Sequence, residues 1–321
     1  MTNMKFTQID TGTINTKERR FQISPYFSVD SLVLSIKKTG LLNPPVITKR
    51  EEKHVIVSGW RRIFACRELS IPSIPVFVMD ETKDLEAFKV PVFENLSIRD
   101  YTQIEKAAVI RKLDGFGESP ENIIQRYLPL LKAPPTREVM DAYIKIDRLN
   151  ENIKETAHNK KWPFATLELM TEWTERERQG LFPFVKELSL NKQKELIENL
   201  FEVSRKKGIS VQSILSSGEF AKVQKDISLS PMQKAEKIHL LARKQRYPSL
   251  SSWKEAFEKV SENLNLPEEI AVIPSKFFED EVISIRLNVK NKKELEKYAD
   301  KLKELSSKKE ISLLFNPFSH D

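Results

Sequence analysis

Hydrophobic and polar positions follow two different patterns along this chain. Between residues 20 and 100, short apolar runs of the β type alternate with short stretches of helical spacing, whereas helical periodicity dominates from residue 101 onward. A helix is predicted from Val29 to Gly40, because a glycine and then Pro44-Pro45 form a strong stop signal. Three strands are predicted at 45–49, 54–58 and 74–78. We therefore expect a small α/β domain at 20–100.

The rest of the chain is predicted to be helical almost to its end. Capping boxes begin helices at Thr102 and Ser230, and a long helix at 192–207 closes at Gly208. Residues 267–281 are interpreted as a connecting segment, before a strand at 282–289 and a helix at 291–305. The predicted divisions are a helical domain at 101–207 and a helical C-terminal region at 208–321 that ends in a strand-helix unit.

The composition excludes several kinds of site and protein but does not identify the function. The chain has 321 residues and one cysteine, Cys66, which excludes an intramolecular disulfide and any multi-cysteine metal site. Its four histidines are too scattered for zinc-enzyme spacing, and Cys66 is interpreted as a small core residue. No apolar run approaches the roughly 20 residues of a membrane span, and the first residues lack a secretory pattern, so a cytoplasmic protein is expected. The net charge of +7 favours polyanionic partners, although the excess is evenly spread.

Three segments carry the informative residues: 35–45 with Gly40 and Leu41, 57–65 with Ser58, Gly59, Arg61 and Arg62, and 93–99 with Glu94 and Asn95. A glycine between a strand and a helix permits close approach of a ligand, and the following helix start offers N–H groups to an anion. Guanidinium groups on that first turn suit phosphate, and carboxylate and amide oxygens suit Mg²⁺. Together the segments predict a pocket for a nucleoside triphosphate.

A structural explanation of each fragment stands beside this one. Arginines at a helix start are more often a solvated basic end, and a Glu-Asn pair is more often a cap or a surface pair. Only the co-occurrence of the three segments in this order favours the pocket.

In that order and spacing, the segments resemble the N-terminal domain of ParB-type partition proteins, a fold shared in outline with sulfiredoxin. The resemblance covers about residues 20–115 well and 116–207 loosely. It implies an α+β chain with a ParB/sulfiredoxin-like N-terminal domain, a central helical domain with a candidate helix-turn-helix, and a small C-terminal strand-helix cap. It also implies CTP as the nucleotide, Mg²⁺ held at Glu94 and Asn95, binding to DNA, and a homodimer associated with the nucleoid or a plasmid.

The chain departs from the family pattern at two places. Trp60 stands where the family has glutamate after the glycine, so at most weak CTP hydrolysis is expected. Trp60 either stacks on a base or packs internally, and packing is favoured. The family's Asn-Pro-x-Gln-x-Arg segment is replaced by residues 18–23, Glu-Arg-Arg-Phe-Gln-Ile.

For DNA, the resemblance makes 102–113, 119–131 and 136–149 the candidate helix-turn-helix. A recognition helix directs its N-terminal side chains into the major groove, which indicates Thr136 and Arg137. Glu138 and Asp141 on the same face would repel phosphate, so an ordinary bundle helix is an equal alternative.

Three other basic segments are weaker candidates. Residues 205–207 and 243–247 are basic helix ends that the helix dipole alone explains. The Lys-Lys-Trp run at 160–162 either stacks on bases or forms a plain surface turn. The leading hypothesis is therefore a ParB-like DNA-binding protein with a CTP-responsive domain, acting in DNA partition or transcription-type regulation. The alternatives are a CTP hydrolase or nuclease, and an interaction adaptor that has lost its ligand.

Overall fold

The structure is a computed structural model that describes residues 3–50, 53–80, 82–274, 282–307 and 311–315. These residues belong to two compact units, 1–182 and 183–321. The divisions expected near residues 100 and 207 lie inside these units, so the three-domain organisation stays a prediction. Within the described ranges, no helix combines the length and the apolar character that crossing a bilayer requires.

The first unit contains a five-stranded mixed sheet. Its strands are β1 Met4–Asp10, β2 Ile14–Asn15, β3 Val46–Arg50, β4 Lys53–Ser58 and β5 Ser73–Met79, arranged in the order β1-β5-β3-β4-β2. β3 and β4 are antiparallel neighbours, and β3 pairs in parallel with β5. The three strands that the apolar runs predict are thereby confirmed.

The sheet also includes two strands that the apolar pattern does not predict. β1 pairs antiparallel with β5, and β2 pairs in parallel with β4, so the sheet uses residues that precede the expected domain start at residue 20. Most side chains of β1 are exposed, which leaves no apolar run to detect. The Arg67 guanidinium secures the following turn by donating from Nη2 to the Thr11 carbonyl at 3.0 Å and from Nη1 to Thr16 Oγ1 at 2.7 Å.

Three helices belong to this sheet. They are α1 Asp30–Thr39, α2 Trp60–Glu68 and α3 Asp84–Leu96. α1 and α2 contact each other, and α3 contacts β4. α1 ends where predicted, at Gly40, whose φ of 74° suits a residue without a side chain. The core between sheet and helices includes Ile47, Ile56, Ile63 and Cys66, which confirms the cysteine as a core residue.

The remainder of the first unit is helical. Its helices are α4 Gln103–Gly115, α5 Pro120–Asn122, α6 Leu128–Leu130, α7 Arg137–Asp147, α8 Glu151–Asn159, α9 Phe164–Thr171 and α10 Glu175–Val185, whose last residues fall in the second unit. The capping box at Thr102 is confirmed, since Thr102 Oγ1 accepts from the Glu105 N–H and the Glu105 carboxylate accepts from the Thr102 N–H at 2.9 Å. The helix predicted at 119–131 is interrupted by a π-helical turn, Ile123–Tyr127.

Trp162 is buried, with only 1% of its surface exposed. The alternative that this side chain stacks on bases is therefore wrong. Lys161 does occupy a turn, with a positive φ of 52°, but this turn directs the tryptophan into the interior.

The second unit is also mainly helical. Its helices are α11 Leu190–Lys207, α12 Val211–Leu215, α13 Gly218–Lys225, α14 Pro231–Arg246, α15 Pro248–Asn263, α16 Lys292–Ser306 and α17 Ser312–Phe315. α11 ends where predicted, because Gly208 takes a left-handed conformation with φ of 64°. The predicted capping box at Ser230 is also present in full.

The expectation of a connecting segment at 267–281 needs correction. Part of it is a strand, β6 Ile270–Pro274, which pairs antiparallel with β7 Ile283–Leu287. Residues 275–281 lie outside the described residues. A short apolar run beside prolines does not reveal a strand until its partner is known, which is why the pattern missed β6.

Candidate functional site

A cleft of about 1100 Å³ opens in the first unit. Its lining comes from chain segments 21–35, 43–46, 57–62 and 91–105, together with Phe77 and His158. The loop before β3, the junction of β4 with α2, and the end of α3 therefore meet at one place. These junctions lie in the three segments that sequence analysis selected.

The cleft brings together most of the predicted nucleotide-site residues. Those that line it are Ser58, Gly59, Arg61, Arg62, Glu94 and Asn95. Gly40 and Leu41 are not in the lining. Gly40 ends α1, with its N–H donating to the Ile36 carbonyl at 2.9 Å, and Leu41 packs against the core.

Gly59 occupies a position that no other residue fits. Its φ is 91°, and a Cβ built there would lie 2.6 Å from Pro45 Cβ and 2.9 Å from Pro45 Cα. The glycine therefore lets the end of β4 pack directly against the proline loop. Gly59 also precedes α2 without a side-chain cap, so the N–H groups of the first helical turn are free of a capping side chain. Such a helix start favours anions.

Arg62 and Glu94 form the polar centre of the cleft. Arg62 Nη2 donates to Glu94 Oε1 at 2.7 Å, and Arg62 Nη1 donates to the carbonyls of Asn43 and Pro44, both at 3.0 Å. Ser58 Oγ donates to the other oxygen of Glu94. One arginine thus links the proline loop, the start of α2 and the end of α3.

Arg61 and Asn95 occupy the same cleft with different partners. Arg61 Nε donates to the Ser28 carbonyl at 3.1 Å, which ties α2 to the segment before α1. Asn95 Nδ2 donates to the Pro91 carbonyl at 2.8 Å. The amide nitrogen of Asn95 is therefore engaged within its own helix, which leaves its Oδ1 as the ligand atom to consider.

Trp60 packs internally, as the sequence analysis favoured. It is 8% exposed and stacks on Phe64, with ring centroids 6.3 Å apart and an interplanar angle of 26°. Within the described residues, its buried indole Nε1 has no hydrogen-bond partner. The side chain at this position contributes a wall to the cleft and carries no group that moves protons.

A second polar network lies in the cleft, and sequence analysis did not assign it to the site. Glu105 is 1% exposed and accepts from Arg99 Nη2 at 2.6 Å and Nη1 at 2.8 Å, and from Ser24 Oγ. Burial would raise the pKa of Glu105, but hydrogen bonds from Arg99, Ser24 and the Thr102 N–H outweigh it and hold that pKa below its usual value. The capping box revealed the helix start, whereas only the tertiary structure brings Ser24 to it.

This network continues to α8. Thr102 Oγ1 lies 3.0 Å from His158 Nδ1, and the Tyr26 hydroxyl donates to Glu151 Oε2 at 2.6 Å. Burial lowers the pKa of His158, which favours a neutral ring at pH 7. Burial, followed by the bond to Glu151, raises the pKa of Tyr26 well above its usual value. The segment around Ser24 and Tyr26 is therefore held at two points of the helical region.

Residues 2–96 match the family described as the ParB N-terminal domain. This chain contains a ParB N-terminal domain. The match covers the sheet, α1 to α3 and most of the cleft, and it ends just after Glu94 and Asn95. Arg99 and Glu105 of the second network lie beyond the matched residues, Arg99 in the connection before α4 and Glu105 on α4 itself.

Curated relatives agree with this assignment and extend past the domain. The chain is 22% identical over 219 residues to the probable chromosome-partitioning protein ParB of Borreliella burgdorferi, covering 66% of this chain and 82% of that protein. It is 26% identical over 197 residues to a nucleoid occlusion protein of Bacillus cereus, covering 60% of this chain and 62% of that protein. The matched region thus spans less than two thirds of the second relative.

The comparison with solved structures found the C-terminally truncated chromosome-partitioning protein ParB of Caulobacter crescentus complexed with CTP-gamma-S. It is 17% identical to this chain, with a TM-score of 0.27, and the alignment covers 53% of this chain and 94% of the other.

The donor set of the cleft is compatible with Mg²⁺ bound together with phosphate. Among the described residues, no group of three histidine, cysteine or acidic side chains could hold a metal ion. Glu94 and the Oδ1 atom of Asn95 supply one carboxylate and one amide oxygen, and Mg²⁺ is commonly held by one or two carboxylates plus substrate phosphates. The ion would therefore depend on a nucleotide for its other ligands.

The candidate DNA-reading residues lie away from the cleft, at the start of α7. Thr136 Oγ1 caps the helix by accepting from the Val139 N–H, and Arg137 Nε donates to Asp141 Oδ1 at 3.1 Å. Both candidate side chains are exposed. The buried face of α7 includes Met140, Tyr143 and Ile146, so the exposed N-terminal end is the part available to a partner.

Proposed function

We propose that this chain is a ParB-type DNA-binding factor whose N-terminal cleft binds CTP together with Mg²⁺. It acts in DNA partition or a transcription-type regulation, in association with a nucleoid or plasmid in the cytoplasm. The observation that carries the proposal is the convergence of Gly59, Arg61, Arg62, Glu94 and Asn95 on one cleft within a ParB N-terminal domain. These residues come from two sequence segments more than thirty residues apart, so no local rule of secondary structure requires them to meet.

In the proposed complex, the phosphates approach the start of α2 beside Gly59. The N–H groups of the first turn and the guanidinium groups of Arg61 and Arg62 stabilise the negative charge. Glu94 and Asn95 would hold Mg²⁺, which would neutralise charge on the phosphates. Gly40 and Leu41 act indirectly by ending α1 and packing the loop that leads to Pro44.

Hydrolysis is at most weak in this proposal. General acid or base catalysis needs a titratable group within hydrogen-bond reach of the reacting water. The indole of Trp60 cannot serve, and the Glu94 carboxylate is engaged by Arg62 and Ser58. We expect the nucleotide to act as a switch ligand rather than as a substrate that is turned over quickly.

The DNA contact is proposed for the start of α7, with Thr136 and Arg137 reading bases or phosphates. The names of the two relatives, a chromosome-partitioning protein and a nucleoid occlusion protein, support a role on DNA. A homodimer is part of the proposal. Two copies of a weakly basic chain, bound to adjacent half-sites, hold the DNA more tightly than one copy does.

Nucleotide binding is tested by calorimetry with the full chain, Mg²⁺ and each of CTP, UTP, ATP and GTP. We expect a preference for CTP, and a loss of at least several-fold in affinity for Arg61→Ala, because it removes a charge-assisted contact with phosphate. The matched control is Arg126→Ala, which removes an exposed arginine outside the cleft. Absence of binding at millimolar nucleotide would contradict the proposal and favour a ligand-free adaptor, whereas rapid phosphate release would favour an enzyme.

DNA binding is tested by selection from a random duplex library, with and without CTP. We expect enrichment of a defined sequence and a preferential loss of specific affinity for Arg137→Ala. Lys145→Ala is the matched control, because it removes an exposed cation from the other end of α7. No enrichment, with random binding lost at physiological salt, would rule out the DNA-binding function.

A further inference from the structure

Two long helices of the second unit run parallel and side by side. Lys192, near the start of α11, pairs with Glu236, near the start of α14, at 2.6 Å. Near the other ends of the same helices, Lys207 Nζ donates to Gln245 Oε1 at 3.0 Å. The C-terminal ends of α11 and α14 therefore lie together.

This arrangement merges two basic segments that are far apart in the sequence. The last turns of the two helices carry six cations: Arg205, Lys206, Lys207, Arg243, Lys244 and Arg246. All except Arg246 are exposed. We call this group the α11/α14 basic cluster.

Stabilisation of the helix ends accounts for only part of this charge. A helix C-terminus carries roughly half a negative charge, so two adjacent ends amount to about one. The nearby carboxylates are also few. Lys244 pairs with Glu255 at 2.8 Å and also has Glu219 nearby, and the exposed Glu202 lies one turn before Lys206. The six cations therefore exceed the charge of the two helix ends and these three carboxylates by about two.

Two arginines of the cluster are also held against aromatic rings before any ligand arrives. Within the described residues, Lys244 is its one member in an ion pair. The Arg205 guanidinium lies over the ring of Phe201 at 5.7 Å, and that of Arg246 lies over the ring of Tyr247 at 5.0 Å. Packing on an aromatic face restricts a long side chain, so it loses less entropy when it binds an anion.

We infer that the α11/α14 basic cluster is a second DNA-contact surface, which binds the phosphate backbone of duplex DNA without reading its sequence. The inference rests on the proposed function as a DNA-binding protein. It assigns sequence-independent binding to the second unit, whereas Thr136 and Arg137 of the first unit are proposed for the specific contact. Cations that contact only phosphate contribute affinity and salt dependence but no sequence preference.

The test measures how the affinity of the full chain for a random duplex falls with salt. For the Lys206→Gln/Arg243→Gln double variant, the slope of log affinity against log salt should decrease by about 0.9 for each phosphate that is no longer neutralised, or about 1.8 in total. The sequence selected from a library should be unchanged. An unchanged slope for the double variant would overturn the inference.

Lys222→Gln/Lys225→Gln is the matched control, since it removes the same charge from the end of one helix, α13. Lys234 Nζ donates to the Gln224 carbonyl at 2.9 Å, which places that helix end near the start of α14 and away from the cluster. The control should keep the wild-type slope. If it lowers the slope as much as the double variant does, general charge rather than this surface is responsible, and the inference fails.

A gain of affinity provides a second, independent test. Glu202→Gln removes a carboxylate beside the cluster and should strengthen random-duplex binding by a few-fold at low salt. Binding to phosphatidylglycerol vesicles that depends on the cluster, with no effect on DNA, would instead overturn the inference. The proposed function can fail separately: if no sequence is selected while random binding depends on the cluster, only the specific DNA-reading role is lost.

Discussion

Arg62 Nη2 donates to Glu94 Oε1 at 2.7 Å, which joins the residue proposed for phosphate to the residue proposed for Mg²⁺. Without a ligand, the charges of Arg62 and Glu94 neutralise each other. A nucleotide with its metal ion would replace this pair, since phosphate takes the guanidinium and the metal ion takes the carboxylate. The pair is partly exposed, with 22% and 33% of the two side chains accessible, so such an exchange needs little reorganisation.

The first prediction concerns that exchange. Glu94→Gln should raise the affinity for CTP in the absence of Mg²⁺ by several-fold, because it removes a negative charge from the cleft and frees Arg62. It should also abolish most of the gain from adding Mg²⁺, because a carboxylate ligand is lost. Calorimetry with and without the metal ion measures both effects. Glu86→Gln on the same helix, where Glu86 pairs with Lys89 outside the cleft, is the control. Equal Mg²⁺ dependence in Glu94→Gln and the wild type would contradict the metal role.

The second prediction concerns the contact between Gly59 and Pro45. Gly117 also has a positive φ, 86°, but a Cβ there would meet nothing within 4 Å. Gly117→Ala should therefore lower the free energy of unfolding only by the strain of an alanine in the left-handed conformation, about 1–2 kcal/mol. Gly59→Ala should cost about 1–3 kcal/mol more, because the proline loop must also move. Urea unfolding of both variants measures the difference, and equal losses would show that the loop yields freely.

The third prediction concerns Trp60. Trp60→Glu restores the family's residue but places a carboxylate in a position that is 8% exposed and packed on Phe64. We expect it to destabilise the protein by about 3 kcal/mol or more, since burial of an unpaired charge adds to the loss of packing. Trp60→Phe should cost less, because it keeps an aromatic side chain and loses no hydrogen bond of the indole nitrogen. Thermal unfolding compares the two variants. A fully stable Trp60→Glu variant with increased CTP hydrolysis would show instead that the cleft accommodates the family's chemistry.

The fourth prediction is a loss of stability in acid that depends on Glu105. Its pKa is 4.5 in the unfolded chain and lower in the folded protein, so the unfolded state binds the proton more tightly. The stabilisation is therefore complete above pH 4.5 and is lost as the pH falls through the folded pKa. Glu105→Gln should lower stability by about 2–3 kcal/mol at neutral pH, as expected for hydrogen bonds to a charged group. It should also flatten the decline below pH 4.5. If the free energy of unfolding of the variant falls below pH 4.5 in parallel with that of the wild type, Glu105 is not the cause of the loss of stability in acid.

The fifth prediction concerns the alkaline range and Lys112. This ammonium donates to the carbonyls of Arg19 and Arg20 at 2.8 and 2.6 Å, and burial lowers its pKa from 10.5 to about 8. Between these values the unfolded chain binds more protons than the folded one, so this group makes stability rise with pH from about 8 to 10.5. Lys112→Met should remove that rise. The free energies of unfolding of the wild type and the variant at pH 7.5 and pH 10 measure this rise. An equal change between the two pH values in both proteins would contradict the lowered pKa of Lys112.

Residues close together in the sequence were enough to predict those structural features whose physical cause is local. Capping boxes at Thr102 and Ser230, and left-handed glycines at Gly40 and Gly208, are determined within a few residues of the chain, and the structure has them where they are predicted. The apolar runs of β3, β4 and β5 were equally readable, because each strand has consecutive or alternating β-branched and aromatic residues between turn residues. The glycine and the arginines after β4 also indicated where to look for a site.

Contacts between distant segments were decided only by the tertiary structure. The pairing of β1 with β5, the burial of Trp162, the bond from Ser24 to Glu105 and the meeting of the α11 and α14 ends all join residues whose own surroundings do not specify a partner. The physical reason is that the charge and spacing of side chains limit what each residue can bind. Packing of the whole core determines which of these groups come within a few ångströms of each other. The sequence by itself therefore determined the elements and the chemical types of the site. The fold decided that Arg62 and Glu94 face each other in one cleft.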